Sequence, residues 1–173
     1  NGQDGATGPA GPAGATVPCG LSIGDLYQGG IIFFLDGSGC HGLVAKETDE
    51  PGNYQWSSTN FATWALASGI YGGAQNTKKS IAIAVANGST CPAASVCDNL
   101  TSGGYTDWYL PSKDELDMMY VNLHMQVLGG FANVSYWSST EDDSNYAWGQ
   151  GFDDGVQSSS NKGNANVRSV RAF

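Results

Sequence analysis

The sequence predicts an α+β fold built on antiparallel sheets, and three observations predict it. Segments that read as strands lie on both sides of a central helical section. Glycine accounts for 25 of the 173 residues, a share that calls for many turns and short strands. The stretch "LPSKDELDMMYVNLHMQVLGG" carries both a helix start and a helical period.

The elements follow in chain order. Residues 2–16 are five Gly-X-Y triplets with Pro9 and Pro12 at X positions. Only glycine fits the crowded axis of a triple helix, so this register specifies three collagen-like chains. Five triplets are too few to hold a trimer alone. Residues 1–16 are therefore read as the end of a longer stalk and residues 17–173 as a globular, ligand-binding head. Asn1 is not a natural start, so the chain reads as a fragment.

From Gly20, "LSIGDLYQGGIIFFLDGSGCHGLVAKET" predicts two strands joined by a turn around Gly37–Gly39. "QWSST" predicts a further short strand or turn. In "NTKKSIAIAVANG", Asn76 is placed to cap a helix and Gly88 to end it, with Ile81, Ala82 and Val85 as its apolar stripe. A short helix through Val96 and Leu100 follows. Ser112 and Glu115 then form a capping box, since each side chain can reach the other's free backbone N–H. Leu116, Met119, Tyr120, Leu123 and Val127 recur at helical steps, and Gly129 and Gly130 stop the helix. "SYWSSTE", "NYAWGQGF", "VQSSS" and "NVRSVRAF" return the chain to β structure, with a turn at Asp154-Gly155.

Composition excludes several functions. The balance of 16 acidic against 7 basic residues, a net charge of −9, disfavours a nucleic-acid partner. The apolar run "GGIIFFL" is far short of the roughly 20 residues that span a bilayer and reads as a buried strand, so this segment inserts in no membrane. Four cysteines, Cys19, Cys40, Cys91 and Cys97, fit two disulfides and an oxidising compartment. Three pairings are possible. Cys91–Cys97 as a loop staple with Cys19–Cys40 as a clamp on the entering chain is the favoured one. Zinc fits poorly, because no cysteine pair has ligand spacing and His41 and His124 make no pair.

The pieces "IGDLYQGGIIFFLD", "GLVA", "GGYTDWYLPSKDEL", "YWSSTE", "AWGQGF" and "VRSVR" occur in an order that resembles one bacterial family. That family is named for the C-terminal domain of the Legionella collagen-like protein, and the resemblance runs from Ile23 to Phe173. It implies a homotrimeric, surface-exposed adhesin head that binds sulfated glycosaminoglycans and supports host attachment and biofilm formation. It also implies a C-type lectin-like fold, related to the formylglycine-generating enzymes, although the calcium-binding tripeptides Glu-Pro-Asn and Gln-Pro-Asp are absent. Fold analogy does not carry function.

A sulfated polysaccharide is a polyanion, so its contacts require Lys or Arg and weaken with salt. Lys78 and Lys79 at a helix start and Lys162 in a Gly/Asn/Ser-rich loop are the exposed candidates. Lys113 sits in a first helical turn, where a cation is unfavourable unless it serves a purpose. Arg168 and Arg171 lie three apart and point to opposite faces of a strand. One is expected to pair inside with a carboxylate such as Asp107 or Glu115, the other to reach the surface. Trp64, near Tyr71, is the tryptophan free to meet a sugar, while Trp108, Trp137 and Trp148 read as core.

Glu141, Asp142, Asp143, Asp153 and Asp154 form oxygen-rich loops able to hold a divalent cation, with solvated turns as the alternative. No cofactor is otherwise expected. No Ser-His-Asp set, phosphate loop or metal triad is ordered by the sequence, and the cysteines are assigned to disulfides, so catalysis is not expected. Two rival readings are a head that self-associates through divalent ions and a module that only trimerises the stalk.

Overall fold

The computed structural model describes residues 19–173, so the Gly-X-Y repeat lies outside the described residues. The head is α+β, as expected. Its first sheet has strand order β1 (Leu26–Tyr27), β2 (Gly30–Leu35), β3 (Gly42–Ala45) and β9 (Val170–Ala172), all antiparallel. A second sheet joins β5 (Ser135–Glu141), β6 (Tyr146–Gly151) and β7 (Gln157–Asn161), also antiparallel. A small ladder pairs β4 (Tyr54–Gln55) with β8 (Asn164–Ala165). Between the β segments lie α1 (Gly72–Ala86), α2 (Pro92–Asp98), α3 (Lys113–Asn122) and a 3-10 turn at His124–Gln126.

Strand β2 is apolar throughout because both of its faces are covered. Side chains alternate across a strand. Ile31 and Phe33 therefore join Leu43, Tyr109, Leu116, Met119, Tyr136 and Phe152, while Ile32 packs with Val44 and Trp108 on the other side. A further cluster holds Trp56, Cys91, Cys97, Leu110, Trp137 and Val167 against α1 and α2. Phe33 is fully buried, and truncating such a ring to alanine costs about 3–5 kcal/mol through lost transfer energy and the cavity left behind.

Helix α3 starts as its sequence dictates. Ser112 Oγ accepts from the Glu115 N–H and Glu115 Oε2 accepts from the Ser112 N–H at 2.7 Å, completing the capping box. The helix ends earlier than its apolar period predicts. It stops at Asn122, and Val127, expected on the buried stripe, is 93% exposed with φ 59°.

Helix α1 also differs from expectation. It begins at Gly72 behind Tyr71, which takes a left-handed φ of 66°. Asn76 lies inside the helix rather than capping it, donating to the Ala67 carbonyl at 2.6 Å and accepting from the Ala67 N–H at 3.2 Å. The buried face is Gly73, Asn76, Thr77, Ser80 and Ala84, and Val85 points to solvent. Polar residues line that face because it holds loop backbone as well as core side chains. Gly88, with φ 63°, follows the helix end as predicted. Among the described residues no helix is long and apolar enough to cross a membrane.

Candidate functional site

The segment from Thr63 to Tyr71 has no regular structure of its own, so its backbone groups must be satisfied by neighbours. Glu141, at the end of β5, accepts from the Thr63 N–H at 2.9 Å and the Trp64 N–H at 2.7 Å. The Glu141 N–H in turn donates to the Ala65 carbonyl at 2.8 Å. Thr140 and Asn76 both donate to the Ala67 carbonyl. The Asp114 N–H donates to Ser68 and the Ser112 hydroxyl to Gly69, tying the segment to the start of α3. The "YWSSTE" and "LPSKDEL" motifs therefore act as a cradle for this loop.

The cradle holds Trp64 in an unusual state. Its backbone is left-handed, φ 57°, and its side chain is 62% exposed. A bulky residue at positive φ carries strain of order 1–3 kcal/mol, tolerated only where the surroundings impose it. Lys79, from α1, donates its ammonium to the Trp64 carbonyl. Trp64, Leu66, Gln75, Asn76 and Lys79 line a recess of about 270 Å³. An indole, an ammonium and a free amide around one recess can stack on a sugar ring and meet an anionic group. Lys78, next on the same helix, is 75% exposed and lies 2.6 Å from Asp98. Structure thus brings Trp64 and Lys79 together at one recess, while Lys78, the neighbouring residue on the helix, turns toward Asp98 of α2. Gln75 and Leu66 join the recess without any sequence signal beyond their place in the loop and helix.

Lys113 is partly buried, with its Nζ 3.4 Å from the centroid of the Trp148 ring. This contact is the purpose of a cation in that first turn, and it leaves Trp148 half-buried as a platform instead of core. Trp108 and Trp137 are core as expected.

The expected exposure of Lys162 is corrected. Its side chain is 1% exposed, and its three N–H bonds go to Glu141 Oε1 at 2.7 Å, the Phe61 carbonyl at 2.9 Å and the Ser144 carbonyl at 3.0 Å. A buried ammonium is retained because every proton is matched and a carboxylate balances it. Neither arginine reaches the surface. Arg168 packs over Phe131 and donates Nε to Asp49 Oδ1 at 2.7 Å. Its Nη2 lies 2.6 Å from the same oxygen without hydrogen-bond alignment. Arg171 forms a two-pronged pair with Asp107, at 2.7 and 2.9 Å, over the Tyr105 ring. That pairing holds the Asp107 carboxyl below the usual range. With Lys46 bound to Glu50, four of the seven basic residues are spent inside the fold.

Cys19 and Cys40 form a disulfide that clamps the entering chain to the β2–β3 turn. The Cys91–Cys97 staple is corrected: both thiols are free and buried. Cys91 is the residue before α2 and Cys97 lies in its last turn, and six residues of helix rise about 9 Å, beyond disulfide reach. Burial pushes the Cys91 thiol up to about 12.

The acidic loops are used locally. Glu141 is spent on Trp64 and Lys162 and is not a loop oxygen. Asp143 Oδ1 accepts from the Asn145 and Tyr146 N–H groups, Asp142 from the Ser159 hydroxyl, and Asp154 from the Val156 N–H, while Asp153 is exposed. No group of three or more His, Cys, Asp or Glu side chains converges on a metal position among the described residues.

Glu115 is fully buried beneath this cradle. A Cβ on Gly73 would collide with its carboxylate, so only glycine lets α1 approach. Burial pushes the Glu115 carboxyl up to about 7, against the backbone N–H groups of Ser112, Tyr71 and Gly73, which favour the charged form.

The family model described as the Lcl C-terminal domain matches residues 48–171. The match takes in "GGYTDWYLPSKDEL", "YWSSTE" and "AWGQGF", while "IGDLYQGGIIFFLD" and "GLVA" precede it. No curated protein matches the chain. Among solved structures the chain is similar to a fimbrial protein from Bacteroides ovatus ATCC 8483, with 16% identity and a TM-score of 0.55. The likeness covers 83% of this chain and 44% of that one, so the chain spans less than half of that structure. At this identity the likeness is one of fold.

Proposed function

The chain belongs to the Lcl C-terminal domain family, and from that premise we propose that it is the head of an extracellular adhesin that binds sulfated polysaccharide. The observation that carries this reading is Trp64, strained, exposed and set beside Lys79. Lys79 supplies charge, the indole supplies a stacking face, and Lys78, 75% exposed beside a largely buried Asp98, is a second cation able to turn to a sulfate. The reading is non-enzymatic and needs no cofactor. Host attachment and biofilm formation are its biological expression. A disulfide at Cys19–Cys40 supports an oxidising, extracellular setting, as does a fold shared with a fimbrial protein.

Net charge is the objection, because chains of −9 repel a polyanion at long range. Trimerisation answers it by presenting three weak patches to one chain, and the Gly-X-Y register calls for three chains. Exposed apolar side chains are candidates for a threefold contact. Leu26, Met125 and Val127 are 68%, 58% and 93% exposed, and Leu128 packs beneath Gly24. The test is binding to immobilised heparin over a salt series. Binding that ignores salt would contradict the reading.

A further inference from the structure

Away from Trp64, a second recess of about 430 Å³ opens where the 55–60 loop meets the start of β6 and the β7–β8 turn. Its size falls in the range of small-ligand sites. Four side-chain amides line it: Gln55, Asn60, Asn145 and Asn161. None has a protein partner among the described residues, whereas the nearby hydroxyls of Ser57, Ser58 and Thr59 are tied to Thr59 and Ser89. Each amide offers two donors and an acceptor, the mixture that a set of ring hydroxyls needs. The Tyr146 ring, 41% exposed, supplies a face for the C–H side of a sugar.

Charge decides the ligand class. Lys162 lies under the recess, but Glu141 neutralises it and carbonyl oxygens take its other protons. No cation is left to hold a sulfate or carboxylate here. The same ammonium pins the Phe61 and Ser144 carbonyls, so the backbone beside Asn60 and Asn145 is fixed before a ligand arrives, and the ordering left to binding is that of the four exposed amide side chains.

We propose that this recess binds a neutral hexopyranose unit through the four amides and Tyr146. The proposal does not rest on the Trp64–Lys79 reading. The test follows the side-chain amide NMR signals of the 173-residue chain during titration with methyl α-mannoside, methyl β-galactoside and methyl β-glucoside. At least one glycoside is expected to shift those four amides saturably, with Kd on the order of 1 mM and no salt dependence. Tyr146→Ala is expected to weaken it about tenfold with heparin binding unchanged. Asn145→Ala, whose side chain bonds nothing among the described residues, is expected to weaken it with thermal stability unchanged. Absence of saturable shifts with all three glycosides, or shifts that survive both substitutions, would overturn the proposal.

Discussion

Lys162 and Glu141 form an ion pair of 2.7 Å in which each side chain is 1% exposed. One end of the pair holds the Trp64 backbone and the other holds the Phe61 and Ser144 carbonyls. It fixes two loops at once. Lys162→Met leaves a buried carboxylate without its cation, and the expected loss is about 3–5 kcal/mol in denaturant unfolding. Glu141→Gln is expected to lose a similar amount, and the double variant less than the sum. Purely additive losses would show that the two side chains do not act as a pair.

Glu115 makes stability depend on pH. Its carboxyl rises from 4.5 to about 7 on folding, with burial as the main cause. The folded state holds that proton more tightly. Stabilisation is complete below the unfolded value and is lost as pH rises through about 7. Unfolding free energy is expected to fall across this window by an amount on the order of 3 kcal/mol. Glu115→Gln, which keeps the capping box, should flatten the curve. Asp107 acts in a separate window: its lowered carboxyl contributes stability above the unfolded value and loses it as acid protonates the folded pair. A wild-type curve as flat as that of the glutamine variant would contradict the Glu115 assignment.

Reduction of Cys19–Cys40 releases a clamp of 21 residues. Cys19→Ser or mild reductant is expected to cost about 3 kcal/mol. Alkylation of the reduced, folded protein should mark Cys19 and Cys40 and spare Cys91 and Cys97, which are buried. Labelling of all four thiols without unfolding would contradict the packing around α2.

Elements with local causes were legible in the sequence. The capping box of α3 sits within four residues, and the β2–β3 hairpin and the β5–β7 strands declare themselves by apolar runs and turns. The site was legible in part. Trp64, Lys78 and Lys79 were identifiable as exposed, but not that Glu141 holds the loop. Lys162 reads as a surface residue because its neighbours are Gly, Asn and Ser. Its burial depends on Glu141 and on the Phe61 carbonyl, 101 positions away. Asn76 resembles a cap for a similar reason, since the loop backbone it satisfies is not part of its helix.

Val127, the most exposed of the large apolar side chains, is expected to take part in the proposed threefold contact. Val127→Asp changes a side chain that is 93% exposed, so the monomer fold is expected to survive. If the chain is the proposed trimer, sedimentation of this variant is expected to show a monomer. A trimer that persists places the interface elsewhere.

The most direct measurement is heparin affinity of the wild-type chain, of Lys78→Ala/Lys79→Ala and of Trp64→Ala, each across a salt series. Affinity is expected to fall steeply with salt in the wild type. It should drop about tenfold or more in the lysine variant, which should also lose most of the salt slope. It should drop in Trp64→Ala with the salt slope kept, because the indole contributes stacking without charge. Equal affinity and equal slope in all three proteins would contradict the Trp64–Lys79 recess as the polysaccharide site.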